Sequence, residues 1–146
     1  IIVLHHSNQG NNFFVAKEIS KKIKCDIHVI KDVINLENYN IIIFVLSNTG
    51  DEELMPQMEE FLEQLLIKNK KYILCELGSY FGIGKYHGCK KIAIQILDNL
   101  NWIKLTDMSL DSTPELDKEK LEKWLQEISN ALHDDDFRNS KYALSN

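Results

Sequence analysis

Residues 7–12 form a short polar loop whose side chains and backbone could bind a phosphate group. The loop reads Ser7-Asn8-Gln9-Gly10-Asn11-Asn12, and an apolar helical pattern follows it directly. Small and amide residues around one glycine allow several backbone N–H groups to converge on an anion, and the dipole of the following helix adds to the attraction. Short polar turns also join strands to helices in α/β proteins without a ligand. The loop therefore predicts a phosphate site, with a plain connecting turn as the alternative.

Two later loops are also unusual in composition. One follows the apolar run Ile41–Leu46 and reads Ser47-Asn48-Thr49-Gly50-Asp51-Glu52-Glu53-Leu54. The other follows Tyr72–Leu77 and reads Gly78-Ser79-Tyr80-Phe81-Gly82-Ile83-Gly84-Lys85-Tyr86-His87-Gly88. Its aromatic residues Tyr80, Phe81 and Tyr86 are candidates to stack on a flat ring; alternatively they pack the loop against a neighbouring helix.

Strand and helix patterns alternate around these loops. Strands are predicted at Ile1–Leu4, Ile27–Ile30, Ile41–Leu46, Tyr72–Leu77 and Trp102–Met108. Helices are predicted at Asn12–Ile23, around Met58–Leu66, around Ile92–Leu100 and at Pro114–Leu132. This alternation predicts an α/β fold, a single-domain doubly wound five-stranded parallel sheet with helices on both faces. Such sheets bind ligands at the carboxyl ends of their strands, where all three loops lie.

Composition limits the classes of function. The chain has 146 residues, 44% of them hydrophobic and 27% charged, with a net charge of −5. Nucleic acid is not expected as a partner, because no segment is basic enough to neutralise a run of phosphates. Cys25, Cys75 and Cys89 are widely spaced and are expected to be reduced intracellular thiols. No run is apolar and long enough to span a membrane, and no signal peptide is visible. The chain begins inside a strand without methionine, so further residues are expected before Ile1.

With these features the sequence resembles the flavodoxins of the short-chain type, over nearly the whole chain up to about Leu132. The phosphate loop of that family, hydroxyl-x-hydroxyl-Gly-Asn-hydroxyl, is matched by Ser7, Gly10 and Asn11. Its second and third loops, Ser-x-x-Gly-Asp-Glu-x-Leu and Gly-Ser-Tyr with a further aromatic, are matched by Ser47, Gly50, Asp51, Glu52, Leu54, Gly78, Ser79, Tyr80 and Tyr86. Gln9 and Asn12 depart from the pattern because they replace hydroxyl side chains by amides, which also donate to phosphate oxygens.

The resemblance implies strand order 2-1-3-4-5 and flavin mononucleotide (FMN) bound at the sheet edge. It further implies a cytoplasmic, monomeric carrier of single electrons between a reductase and an acceptor enzyme, with no membrane partner. Thr49 stands where many relatives have a large residue, which leaves the inner face of the flavin ring to Leu54, to Met55 or to no side chain. The cofactor-binding residues would be Ser7, Asn8, Gln9, Gly10, Asn11, Asn12, Ser47, Asn48, Thr49, Gly50, Asp51, Gly78, Ser79, Tyr80, Phe81, Gly82 and Tyr86. Residues 1–132 would form the FMN-binding domain and residues 133–146 a polar tail that frays.

Other functions compatible with this topology stay open. A phosphorylated receiver domain is disfavoured, because the first strand ends in His5 and His6 instead of acidic residues. These histidines point to opposite sides of a strand and cannot chelate one metal ion, so a packing role is predicted for them. The remaining alternatives are a stand-alone FMN-dependent reductase, a flavodoxin-like activator of a manganese ribonucleotide reductase and a flavin-free binding module.

Overall fold

The chain folds into a mostly parallel β-sheet with helices on both faces. A computed structural model describes residues 1–7, 9–31, 35–49, 53–78, 88–112 and 115–145. Within these residues the elements are β1 (Ile2–His5), α1 (Gly10–Ile23), β2 (Asp26–Val29), β3 (Ile41–Thr49), β4 (Glu53–Leu54), α2 (Pro56–Glu63), β5 (Lys71–Gly78), α3 (Gly88–Asn99), β6 (Ile103–Asp111) and α4 (Lys118–Ser145).

The strand order of the sheet is β2-β1-β3-β5-β6, and all neighbours along this path are parallel. The two-residue strand β4 lies off this path and pairs antiparallel with the end of β3. Counted without β4, the order is 2-1-3-4-5, which confirms the predicted doubly wound α/β sheet. The added strand was not predicted, because two residues are too few to produce a strand pattern in the sequence.

Each face of the sheet has its own apolar core, and the central strand β3 contributes to both. Phe44 and Leu46 point to the face that α2 and α3 cover, whereas Ile43 and Val45 point to the face covered by α1 and α4. All four side chains are fully buried. Complete burial of each contributes about 1.5–3 kcal/mol to folding. The continuous apolar run Ile41–Leu46 is thus explained by helices on both sides.

Helix α2 is shorter than its apolar spacing predicts. It ends at Glu63, and the next turn closes with a tighter hydrogen bond from the Leu65 N–H to the Leu62 carbonyl oxygen. Leu66 was expected on the buried side of this helix, but it is 88% exposed. The prediction for Leu66 is therefore wrong, because the chain leaves the helix before reaching it.

Helix α4 is longer than predicted. The polar residues from 133 onward were expected to fray, yet the helix continues to Ser145. Asp135 on this extension is only 8% exposed, and its Oδ1 lies 2.7 Å from the Lys71 Nζ at the start of β5. The structure thus has helix where fraying was expected, and this ion pair joins the extension to the amino-terminal edge of the sheet. The domain boundary at residue 132 stays a prediction.

Across the described ranges, none of the helices is both long and apolar enough to cross a membrane. The longest of them, α4, carries charged residues along its length, including the run Asp134-Asp135-Asp136.

Candidate functional site

The predicted loops meet at the carboxyl edge of the sheet because the strands that lead into them are neighbours. Strand β3 lies between β1 and β5, so the segments after His5, Thr49 and Gly78 leave the sheet side by side. The topology therefore brings the three loops to one edge, as the sequence predicts.

The first loop combines a closed turn with an open helix N-terminus. The Ser7 hydroxyl donates to the Gln9 carbonyl oxygen and accepts from the Gln9 N–H, both at 3.2 Å. Gly10 opens α1 with φ +71°, and a Cβ built there meets no described atom within 4 Å. The backbone angle therefore favours glycine at this position.

The N-terminus of α1 is exposed. Gln9, the N-cap residue, makes no capping hydrogen bond through its side chain to any described residue, and the first turn of α1 contains no acidic residue. Gln9, Gly10 and Asn11 are all exposed. The positive end of the α1 dipole and its first N–H groups thus face the loop without a carboxylate nearby on the helix to neutralise them.

Asn12 lies in the same loop but points inward. Its side chain is only 5% exposed, and its Nδ2 donates to the Val45 carbonyl oxygen at 3.0 Å and to the Ser47 Oγ at 3.1 Å. Its Oδ1 accepts from the His6 backbone N–H at 3.1 Å. Both amide hydrogens are therefore used inside the protein. Asn12 thus links the end of β1, α1 and β3 through its side chain, and its predicted contact with phosphate stays a prediction.

The two ends of the second loop pair with each other as short antiparallel strands. Asn48 pairs with Leu54 and Thr49 with Glu53, and the Met55 N–H donates to the Ser47 carbonyl oxygen at 3.2 Å. Leu54 is buried in the core, whereas Met55 is half-buried. Of the two residues considered for the inner face of a flavin ring, Met55 therefore retains accessible surface and Leu54 does not.

The third loop is anchored at both ends by residues that the motifs do not include. Glu76, fully buried two residues before Gly78, accepts hydrogen bonds from the Lys90 N–H at 2.8 Å, the Cys89 thiol at 2.9 Å and the Ser109 hydroxyl at 2.8 Å. Burial and the neighbouring Glu76 carboxylate raise the pKa of the Cys89 thiol, which therefore stays protonated and donates. The carboxylate thus fixes the first turn of α3 against β5.

A second anchor lies after β6. The Ser112 N–H donates to the Gly78 carbonyl oxygen at 2.8 Å, and the Asn11 Nδ2 donates to the Ser112 carbonyl oxygen at 3.2 Å. Ser112 therefore connects the third loop to the first. Nothing in the sequence around Ser112 indicates this role, whereas Glu76 could have been noticed as a charged residue within an apolar strand.

Solved structures share this fold, although no family model and no curated protein matches the sequence. Flavodoxin 1 from Bacillus cereus matches with a TM-score of 0.71 at 23% identity, over 90% of this chain and 96% of that one. Fusobacterium nucleatum flavodoxin bound to flavin mononucleotide matches with a TM-score of 0.69 at 18% identity, over 88% and 96%. Flavodoxin 2 from Bacillus cereus matches with a TM-score of 0.64 at 19% identity, over 92% and 97%.

This chain has the flavodoxin fold. The resemblance stated from the three loops is thereby confirmed at the level of the fold. Within this flavodoxin fold, eight of the predicted site residues lie outside the described ranges, and their roles stay predictions: Asn8, Gly50, Asp51, Ser79, Tyr80, Phe81, Gly82 and Tyr86.

Two histidines line the base of the first loop. The His5 ring is buried, its Nδ1 lies 2.8 Å from the Ser7 carbonyl oxygen, and its centroid lies 5.4 Å from that of Phe13. A carbonyl oxygen only accepts, so His5 Nδ1 carries the proton. Burial lowers the pKa of His5, and burial together with the neighbouring His5 charge lowers the pKa of His6. His5 thus packs the loop, as predicted.

Within the part of the chain that the structure describes, no group of three or more His, Cys, Asp or Glu side chains could hold a metal ion.

Proposed function

We propose that this chain binds one FMN at the carboxyl edge of its sheet and carries single electrons between a reductase and an acceptor enzyme. The observation that carries the proposal is the open N-terminus of α1 behind an exposed loop, with Gly10 at φ +71° and no acidic residue in the first turn. These groups fit a phosphate monoester. The Fusobacterium flavodoxin of the same fold was solved bound to flavin mononucleotide.

In this proposal the backbone N–H groups at the start of α1 bind the phosphate, together with the side chains of Gln9 and Asn11. Ser7 closes the turn that presents these N–H groups. The ring would lie between the second and third loops, near Asn48, Thr49, Gly50 and Asp51 on one side and Gly78 to Tyr86 on the other. Bound FMN supplies the capacity to take up and release electrons one at a time.

Charge supports a role in transient docking. The segment that leads from the second loop into α2 carries Glu53, Glu59, Glu60 and Glu63, and the whole chain has a net charge of −5. Such a surface would steer a basic redox partner and would lose this effect at high salt. We expect the protein to act as a cytoplasmic monomer, with both partners still to be identified.

The test is whether the purified protein binds FMN through its phosphate. We expect Gly10→Val to weaken FMN about 10-fold. The free variant should relax away from positive φ, and phosphate binding must then restore that backbone angle against a strain of roughly 1–2 kcal/mol. Riboflavin, which lacks the phosphate, should bind the variant and the parent equally. Calorimetric titration or quenching of flavin fluorescence measures both affinities.

Asn101→Val is the matched control. Asn101 is exposed, also has positive φ (58°), and follows α3 at the opposite edge of the sheet. The same backbone strain there should leave both flavin affinities unchanged. Equal losses of FMN and riboflavin in Gly10→Val, or no binding by the parent, would contradict the proposal. Steady oxidation of NADH or NADPH by the isolated protein would support the stand-alone reductase instead.

A further inference from the structure

The Asn12 carboxamide lies where β1 and β3 separate. The two strands pair from Ile2 opposite Ile42 to Leu4 opposite Phe44, and the pairing ends there. Beyond this point the next backbone groups, the His6 N–H and the Val45 carbonyl oxygen, both bond to Asn12. The side chain therefore occupies the place of a peptide group between the diverging strands, accepting from one and donating to the other.

A third bond extends this link into the second loop. The other Asn12 amide hydrogen goes to the Ser47 Oγ, at the position where the second loop leaves β3. Ser47 also accepts the Met55 N–H through its carbonyl oxygen, so the base of the hairpin is held on two sides. One buried carboxamide thus connects the start of α1 with the base of the second loop.

We propose that Asn12 is a positioning residue that sets the separation of the first and second loops, and so contributes to flavin affinity without contacting the phosphate. This inference rests on the proposed function. The first loop would hold the phosphate end of FMN and the second loop its ring. A change in their separation would therefore misalign both ends of the ligand, whichever of them binds more tightly.

The geometry explains why an asparagine suits this position. Asn supplies one acceptor and two donors in a plane, and all three are used. A carboxylate would keep the acceptor but would face the Val45 carbonyl oxygen without a hydrogen to donate. A hydroxyl group has one hydrogen to donate and cannot serve both Val45 and Ser47.

The experiment compares FMN with riboflavin in Asn12→Ala. If Asn12 positions the loops, FMN should weaken about 5- to 30-fold, the change in an equilibrium constant that 1–2 kcal/mol produces. Riboflavin, which engages only the second loop, should weaken as well but by a smaller factor, because the Asn12–Ser47 bond at the base of that loop is lost. Loss of FMN affinity alone would show that Asn12 contacts the phosphate and would overturn the inference. Unchanged affinities for both ligands would overturn it as well.

Trp102→Phe controls for general loss of stability. Trp102 donates through its Nε1 to the Ile67 carbonyl oxygen at 2.9 Å, near the amino-terminal edge and far from the loops. This variant should lower stability but leave both flavin affinities unchanged. If Trp102→Phe weakens both ligands as much as Asn12→Ala does, general softening explains the effect and the inference fails.

Two further measurements test the link between the loops. Hydrogen exchange in the flavin-free protein should become faster at residues 45–49 in Asn12→Ala than in the parent or in Trp102→Phe. In a variant that carries both Asn12→Ala and Ser47→Ala, the fold loss of affinity should be smaller than the product of the fold losses in the two single variants, because both substitutions remove the same bond. Unchanged exchange or independent losses would count against the link.

Failure of this inference is distinguishable from failure of the proposed function. A parent protein that binds neither flavin contradicts the function itself. If the parent binds FMN and the variants of Asn12 bind each flavin as tightly as the parent does, only the role of Asn12 is contradicted.

Discussion

Replacing the buried Glu76 tests whether hydrogen-bond geometry or negative charge holds the first turn of α3. Glu76→Ala removes the acceptor from three donors, the buried Cys89 thiol and Ser109 hydroxyl and the partly buried Lys90 N–H. An unsatisfied buried donor costs about 1–3 kcal/mol, although the thiol is a weak donor and the hydroxyl can turn towards another acceptor. Including the cavity that is left, we expect a loss of about 3–5 kcal/mol in the free energy of unfolding.

Glu76→Gln should cost much less. Its amide oxygen can accept from Lys90 and Cys89, while its amide group donates to the Ser109 oxygen after the hydroxyl rotates. What remains is the lost attraction between the carboxylate and the α3 dipole, about 0.3–1 kcal/mol. The variant therefore separates the charge of this side chain from its hydrogen bonds.

Equilibrium unfolding in urea, followed by tryptophan fluorescence and far-ultraviolet circular dichroism, measures these differences if the slope with denaturant is unchanged. Ser109→Ala is the matched control: it removes one donor and should cost about 1 kcal/mol. Equal losses in Glu76→Gln and Glu76→Ala would refute the reasoning and show that charge dominates. A loss below 1 kcal/mol in Glu76→Ala would show that the network does not stabilise the fold.

Three other outcomes follow from buried polar groups. The Tyr72 hydroxyl is buried without a described partner, and burial raises its pKa to about 12. Tyr72→Phe should leave the free energy of unfolding at neutral pH unchanged or raise it by up to about 1 kcal/mol. Above pH 10 tyrosine ionises first in the unfolded chain, so the variant should lose less stability there than the parent. Burial lowers the pKa of His5 below its usual 6.5, so the free energy of unfolding should fall as the pH decreases below 6.5. Urea titrations at pH 7.5 and 5.5 measure this fall, which should be smaller in His5→Gln than in the parent. Lys71→Met leaves the Asp135 carboxylate without its ion-pair partner and should cost about 1–3 kcal/mol, with faster proteolysis within α4; an unchanged cleavage rate would mean that the pair does not hold the extension.

The sequence by itself determined the fold class and the edge at which a ligand is expected. The run Ile41–Leu46 is apolar at every position, which requires cover on both faces of the sheet, and this holds independently of the rest of the structure. Gly10 and the polar residues around it predicted a loop that opens onto a helix, and the structure has that loop at the end of β1. Such features depend on the spacing of apolar residues and on local backbone preference, and both can be read directly from the sequence.

Tertiary structure alone decided what the polar side chains do. In the sequence, Asn12 belongs to the loop that is predicted to bind phosphate. In the structure, its side chain donates hydrogen bonds to Val45 and Ser47, which lie 33 and 35 residues away along the chain. Lys71 and Asp135 are 64 residues apart, and they form an ion pair on the helix that occupies residues expected to fray. A hydrogen bond or an ion pair between distant residues depends on positions and orientations that only the folded sheet supplies, and no local pattern encodes them.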